Sequence, residues 1–409
     1  MRTLLLTRNT GEGHNRVALA IHQAFESRGH VCEVVDALRL VNRHQEELDW
    51  SKSRHRFMGN GKTPGAQAGS ELATTPPRKH HRRAGTDVSA SLYGWAVLKM
   101  PALFGSVYQI GDVYSRSKVP SPIYFQNQKY AEATHTYIED NEYDVVISTH
   151  LFPQETLSAV RKRYQSRTKF YGVLTDYSCT PFFREPKIDG YFVPHPDMLA
   201  DCVHNGLPQD KTYPLGLPVA ERFRKAPDKA EARQSLNLPT DIPVFLLMSG
   251  GVGSMYTGEA TDRLLADGGE NVRVVILTGR REDLFTSITR RYEVDPRVTV
   301  VPFTDRVPDY MAAADILLTK PGAVSSTEAA VLGLPLVHTA AIPGGEVKNA
   351  RFFAERGMSL YNQRPGEAAR LVKWLLEDAA KVEWMRTHQK ANMIADGADQ
   401  IVSHIENAA

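Results

Sequence analysis

The sequence predicts an α/β protein of two Rossmann-like domains with parallel sheets facing each other across a cleft. Three observations predict it. Short apolar strands alternate with helical segments from Thr3 to Asn349, and strand–turn–helix units repeated in this way build parallel sheets. At 409 residues the chain is long enough for two ordinary domains with full cores. The turns that leave the strands carry glycine and polar residues, and ligand sites of such folds lie at the carboxyl ends of the strands.

Composition narrows the function. A hydrophobic content of 42% with 23% charged residues is that of a soluble globular protein. A net charge of +2 speaks against a nucleic-acid partner. Cys32, Cys179 and Cys202 have no metal-ligand spacing and cannot all pair, which points to a reducing cytoplasm. No run approaches the length of a membrane span and the N-terminus lacks a secretory apolar region, so work on a lipid would be done from the membrane surface.

Thr3–Thr7 reads as a strand. Gly11-Glu12-Gly13-His14 follows, then a helix from about Asn15 to Arg28 with Val17, Ala20, Ile21, Ala24 and Phe25 at helical spacing. Gly29 ends it, and strand Val31–Val35 completes a βαβ unit. The third glycine of a dinucleotide fingerprint is absent. His14 sits at the helix start, where the positive dipole end lowers an imidazole pKa. It is either a loop histidine with an ordinary hydrogen bond or, as a neutral ring near pH 7, a general base.

Residues 42–90, with Thr75-Pro76-Pro77 and His80-His81-Arg82-Arg83, read as a disordered insertion. From Tyr93 to Tyr130 aromatic residues and Met mingle with Lys99, Arg116 and Lys118, suiting either a core or an interfacial patch for anionic lipid. Strand Asp144–Ser148 delivers Thr149 and His150, and strand Phe170–Leu174 delivers Thr175, Asp176 and Tyr177. Each polar residue is a helix cap or turn residue taken alone; together with His14 they line one crevice. Asp176 is the candidate partner of a catalytic histidine or of an acceptor hydroxyl. After strand Gly190–Val193, the stretch Pro214–Val219 has the glycine and prolines of a connector or hinge, dividing the chain into 1–218 and 219–409.

In the second half, strand Pro243–Met248 breaks at Ser249-Gly250-Gly251-Val252-Gly253-Ser254. Gly250, Gly251 and Gly253 between strand and helix suit a phosphate cradle, and the absence of Gly-Lys-Ser/Thr excludes an ATPase P-loop. Strand Arg273–Thr278 ends in Gly279-Arg280, where Arg280 either steadies a diphosphate or is solvated. Strand Val298–Phe303 precedes a helix around Tyr310–Ala314. Strand Asp315–Thr319 stops at Lys320-Pro321-Gly322-Ala323, opening a helix that carries Ser325, Ser326, Thr327 and Glu328. Gly322 allows close backbone approach of a ligand, and free N–H groups at the helix start suit a diphosphate. Glu328 either complements the helix dipole or accepts hydrogen bonds from two ribose hydroxyls. Strand Pro335–His338 ends in Pro343-Gly344-Gly345-Glu346, with a helix from near Val347; Glu346 and Asn349 are placed to grip sugar hydroxyls beside that ribose. The helices Glu367–Glu377 and Ala380–Asn407 read as packing elements. The ligand these features suit is a sugar nucleotide.

Lys320-Pro321-Gly322, Thr327-Glu328-Ala329 and Pro343-Gly344-Gly345-Glu346 with Asn349 resemble the donor-site signature of the processive diacylglycerol glucosyltransferases and monogalactosyldiacylglycerol synthases of glycosyltransferase family 28. Gly11-Glu12-Gly13-His14 resembles that family's first loop, and Gly216-Leu217-Pro218-Val219 its interdomain link. The lipid I N-acetylglucosaminyltransferase is a more distant relative. The resemblance implies a GT-B fold. It implies that Glu328 holds the ribose, that the Gly345–Glu346 turn holds the donor sugar, and that Phe303 and Pro321 belong to the donor side. It puts Gly13, His150 and Tyr177 on the acceptor side, with His14 activating the acceptor hydroxyl. The family usually has Gln where this chain has Gly345, so one side-chain contact to the sugar is lost.

The activity so implied is transfer of glucose or galactose from a UDP-sugar to diacylglycerol or a glycosyl-diacylglycerol, with inversion at the anomeric carbon. The UDP-hexose is a co-substrate and no cofactor is expected. No Asp-x-Asp occurs in the chain, which argues for a mechanism without metal. The protein would work peripherally on an anionic membrane, at its cytoplasmic face. A lipid I-type transferase, a UDP-sugar 2-epimerase and a non-catalytic UDP-sugar sensor remain as alternatives.

Overall fold

The computed structural model describes residues 1–8, 12–40, 122–179, 181–249 and 257–408. The segment 42–90, the aromatic stretch as far as residue 121, Gly11, and the expected cradle of Gly250, Gly251 and Gly253 lie outside the described residues.

The first sheet contains β1 (Arg2–Thr7), β2 (Val31–Asp36), β3 (Val145–Ser148), β4 (Lys169–Val173), β5 (Gly190–Val193) and β6 (Thr212–Pro214), in the order β2-β1-β3-β4-β5-β6. The second contains β7 (Val244–Met248), β8 (Arg273–Leu277), β9 (Val298–Val301), β10 (Ile316–Thr319), β11 (Leu336–His338) and β12 (Leu360–Tyr361), in the order β12-β11-β10-β7-β8-β9. Every pairing is parallel. The central strands are apolar and buried along their whole length, as a sheet covered on both faces requires. The second sheet has the doubly wound order in which the chain reverses direction between β7 and β10; the first reverses between β1 and β3. β6 and β12, of three and two residues, are edge strands too short to leave a period-2 pattern in the sequence.

The helices that matter for the site are α1 (Glu12–Ser27), α2 (Ala131–Asp140), α3 (Leu151–Tyr164), α4 (Lys229–Ser235), α5 (Thr257–Gly268), α6 (Glu282–Arg291), α7 (Val307–Ala313), α8 (Ala323–Val331) and α9 (Gly345–Glu355). α10 (Pro365–Leu376), α11 (Ala379–Asn392) and α12 (Gly397–Ala408) complete the chain. The apolar residues that predict α1 are its buried face: Val17, Ala20, Ile21, Ala24 and Phe25.

One expectation is corrected. The long helix read over Ala380–Asn407 is two helices, because Met393 is extended (φ −91°, ψ 129°) and ends α11. The break lets the chain return to the first domain. Ile401, Val402 and Ile405 of α12 are buried in the core that also holds Val17, Ile21 and Phe25 of α1. Glu406 takes Arg28 Nη1 and His30 Nε2, each at 2.7 Å. The return passes directly over the interdomain link. A Cβ on Gly397 would lie 2.9 Å from both the Gly216 carbonyl carbon and the Leu215 oxygen. Gly216 itself has φ +91°, and a Cβ there would meet Ile394 at 2.8 Å, so glycine is required on both counts. Among the described residues no helix is long and apolar enough to cross a membrane.

Candidate active site at the seam between the domains

On the first domain, the ends of β1, β3 and β4 converge on His14. Its Nδ1 lies 2.8 Å from the Thr149 carbonyl oxygen and 3.2 Å from Thr175 Oγ1. Thr149 Oγ1 returns a hydrogen bond to the His14 carbonyl at 3.1 Å. A carbonyl only accepts, so Nδ1 carries the ring proton and the neutral ring presents its lone pair at Nε2. Burial lowers the His14 pKa below its ordinary value, opposed by the charge of Asp176 and by the Thr149 carbonyl. The sequence points to the same direction of shift from the helix dipole; in the structure burial is the leading cause. Gly13 abuts the second domain, with Val324 Cγ2 3.5 Å from where its Cβ would be.

His150 has a more ordinary position. It is the N-cap of α3, its Nδ1 accepting from the Phe152 N–H at 3.1 Å. Burial, the nearby His14 and Arg8 hold it well below the usual histidine pKa. Its ring stands edge-on to that of His14, with centroids 4.7 Å apart. It supports the His14 ring and caps a helix.

Asp176 acts on His14 through its charge, while its Oδ1 accepts from Asn349 Nδ2 at 2.8 Å. Asn349, expected at the donor sugar, is thereby found elsewhere in the network. Its Nδ2 also donates to the Pro321 carbonyl at 3.2 Å, and its Oδ1 accepts the Tyr177 N–H at 2.8 Å. Both amide protons and the amide oxygen are engaged, and the side chain is fully buried, so it ties the two domains together instead of facing a sugar. Tyr177 crosses the same seam. The single Thr327 hydroxyl proton goes to the Ala323 carbonyl at 2.8 Å, so the Tyr177 hydroxyl is the donor in its 2.7 Å contact with Thr327 Oγ1.

On the second domain, α8 and α9 start at the ends of β10 and β11. Their N-caps are Gly322 and Gly344, and neither helix start has a side-chain cap. Gly344 has φ +110°, a backbone conformation that favours glycine. Two helix N-termini with backbone donors left for a ligand make an anion site beside the switch point. Glu346 Oε1 pairs with Lys320 Nζ, and its Oε2 accepts the Ile342 N–H at 3.0 Å, which fixes the turn. A Cβ on Gly345 would stand 3.8 Å from Asp176 Oδ2, so the donor-side turn faces the acceptor-side acid directly.

Glu328 is 2% exposed on α8. Burial pushes its pKa up to about 7 against the opposing charges of Arg16 and Arg222. Arg16 Nη1, from α1, is 2.9 Å from Glu328 Oε2. Arg280 is at the rim: its Nε is 2.9 Å from Glu12 Oε1 on α1, and its guanidinium lies 3.7 Å over the ring of Phe303. The structure thus gathers Gly13, His14, Asp176, Tyr177, Pro321, Gly322, Thr327, Glu328, Gly345, Glu346 and Asn349 around one seam, with His150 behind and Arg280 and Phe303 outside. Sequence reasoning placed Thr149 and Thr175 in the crevice without assigning them the His14 ring that they hold, and it overlooked Arg16. The threonines follow buried strands beside residues already singled out; nothing local marks Arg16, whose partner is 312 positions away.

This site can hold a nucleoside diphosphate at two helix starts and present a neutral imidazole to a second substrate. Comparisons with known proteins give the chain's relatives. The model for monogalactosyldiacylglycerol synthase matches residues 79–219, and that for the glycosyltransferase family 28 C-terminal domain matches residues 257–404. The processive diacylglycerol beta-glucosyltransferase of Bacillus licheniformis is 26% identical over 307 residues, spanning 73% of this chain and 76% of that protein. Among solved structures, MurG of Acinetobacter baumannii superimposes with a TM-score of 0.57 at 14% identity, over 99% of each chain. The UDP-GlcNAc 2-epimerase of Neisseria meningitidis bound to UDP-GlcNAc gives the same TM-score of 0.57 at 14% identity, over 100% of each chain. These two likenesses show the GT-B fold. The chain thus matches the monogalactosyldiacylglycerol synthase model in its first half and the glycosyltransferase family 28 C-terminal domain in its second, and over most of its length it is similar to a processive diacylglycerol beta-glucosyltransferase.

Proposed function

We propose that the protein transfers a hexose, glucose or galactose, from a UDP-sugar to the hydroxyl of diacylglycerol or of a glycosyl-diacylglycerol. The observation that carries this reading is the anchoring of His14: Nδ1–H on the Thr149 carbonyl leaves Nε2 as a base, and Asp176, whose charge acts on that ring, faces the turn at Gly345. Nε2 takes the proton of the acceptor hydroxyl while that oxygen bonds to the anomeric carbon. The bond from that carbon to the UDP oxygen breaks, and attack from the far side inverts the centre. The negative charge left on UDP is met by backbone N–H groups at the starts of α8 and α9. No metal is needed for that step, and no resident cofactor takes part. In the same reading the first domain (1–218, with α12 packed onto it) receives the lipid, the second (219–409 apart from α12) receives the nucleotide, and the protein binds an anionic membrane peripherally at its cytoplasmic face.

The family resemblance and the names of the relatives support the lipid acceptor; the paired helix starts support the nucleotide. The test is to incubate the protein with UDP-glucose or UDP-galactose and diacylglycerol in anionic vesicles, with and without EDTA, and to resolve lipids by mass. The expected product is a hexose-shifted lipid that persists in EDTA. Turnover of UDP-N-acetylglucosamine without any acceptor would instead establish an epimerase, and UDP-sugar binding with no product from any acceptor would establish a sensor.

A further inference from the structure

Glu328 is a carboxyl group with an unfavourable address. It lies on α8 at 2% exposure, and burial alone favours its neutral form. A neutral carboxyl accepts less well from a pair of ribose hydroxyls than a carboxylate, which has acceptor lone pairs on both oxygens. Whatever keeps it charged therefore governs how well it can serve a nucleotide.

Among the charged and titratable groups that the described elements packed on α8 bring, Tyr177 is hydrogen-bonded to Thr327 and Arg224 is paired with Asp399. Arg386 of α11 is committed to the Gly333 carbonyl, and His338 of β11, fully buried against Ser326, has its pKa pushed down to about 3 and is neutral. Arg222, on the single turn Glu221–Arg224, and Arg16, on α1, are the two that bear on Glu328. Only Arg16 is in contact, with Nη1 2.9 Å from Oε2. It reaches Glu328 from the other domain, two residues along from His14.

We infer that Arg16 is a positioning residue for the donor: it crosses the seam to hold Glu328 as a carboxylate, leaving Oε1 to a ribose hydroxyl. The inference rests on the reading that Glu328 holds the ribose. It adds that a residue of the acceptor-side domain sets the strength of the nucleotide site. Grip on the ribose is complete only when α1 and α8 are together, so the base and the donor carboxylate are readied by the same helix.

The experiment measures binding of UDP and of 2′,3′-dideoxy-UDP to the full-length protein by calorimetry between pH 6.5 and 9. It uses the wild type, Arg16→Gln, Arg16→Lys and Glu328→Gln. The wild type is expected to prefer UDP at pH 7. Arg16→Gln is expected to lose that preference by roughly tenfold for each unit its Glu328 pKa rises, and to regain it towards pH 9. Arg16→Lys is expected to keep the wild-type profile. A merely structural role for Arg16 would lower affinity for both ligands alike at every pH. If Arg16→Gln discriminates as the wild type does at pH 7, or if pH 9 fails to restore its preference, the role of Arg16 is overturned while that of Glu328 stands. If Glu328→Gln still prefers UDP as the wild type does, the ribose reading itself falls.

Discussion

Asn349 Nδ2 lies 2.8 Å from Asp176 Oδ1, an amide of the second domain against a carboxylate of the first, 173 positions apart in the chain. The same side chain serves the Pro321 carbonyl and the Tyr177 N–H. Asn349→Ala would leave three polar groups at the seam without their partner. Such losses cost about 1–3 kcal/mol for each group left unsatisfied, moderated where water enters. Asn349→Ala should therefore lower the Tm and cut kcat more than tenfold, read by calorimetric unfolding and steady-state assay. An unchanged Tm would mean that the domains do not depend on this contact.

The two titrating groups of the site should separate in the pH profile. Free enzyme needs Glu328 ionised, with a pKa of about 7, and His14 neutral, with a pKa below its ordinary value. The acid limb of kcat/KM for the UDP-sugar should bend near pH 7 and steepen further down as His14 gains a proton. On the proposed reading the ribose of a saturating UDP-sugar holds Glu328 charged, so kcat should show only the lower bend. His14→Ala should remove most of the turnover while leaving UDP affinity within about threefold, since in the proposed role its ring serves the acceptor.

Stability should respond to pH through a different carboxyl. Glu155 is 1% exposed, and its pKa is pushed up to about 8 by burial and by Glu185, against the hydrogen bond from Asn127. A carboxyl raised in the folded state contributes stability that is full below its unfolded value and is lost as pH rises through the folded one. Glu328 has the same sign, and its loss is nearly complete by about pH 7. The buried histidines His14, His150 and His338 have lowered values, so their contribution is present above 6.5 and lost as pH falls. Between pH 6.5 and 8.5 the carboxyls act alone among these groups, and the Tm should decline. Glu155→Gln, which keeps an oxygen for Asn127, should flatten that decline and gain more than about 1 kcal/mol at pH 8.5.

Gly345 should accept the glutamine that its family usually carries. The nearest atom to an added Cβ is Asp176 Oδ2 at 3.8 Å, an ordinary contact, and the position is the first of α9. Gly345→Gln should change stability by no more than about 1 kcal/mol, with helix propensity favouring the variant. Its effect should appear in the donor: a lower KM for one of UDP-glucose and UDP-galactose, measured in competition. Equal effects on both would show that the turn does not read the sugar.

The sheets and most of the site were legible because their signals are local. Apolar runs of four or five residues ending in Lys320-Pro321-Gly322 or Thr175-Asp176-Tyr177 mark strand ends wherever they occur, and the parallel order follows from the helices between them. What escaped reading depends on distance in the chain. Arg16 looks like any arginine on an amphipathic helix until α1 is laid against α8. Asn349 looked free to meet a sugar because no sequence pattern reports that Asp176 and Tyr177 come to meet it first. The helical period through 380–407 continues across Met393, and the break there comes from docking against a glycine nearly two hundred residues earlier.

That docking bears on how the cleft can move. The chain passes between the domains twice, at Leu215–Ala220 and again at Met393–Asp396, and the two passages touch backbone to backbone where Gly397 meets Gly216. Two tethers in contact at one spot act as a pivot. Swinging about that spot lengthens neither of them, whereas sliding or twisting would pull one from the other. Any opening that admits UDP-sugar is then restricted to a door-like swing, with Arg16, Asp176 and Gly345 on its leading edges. A side chain at either glycine would shift the axis itself and misalign all of them together.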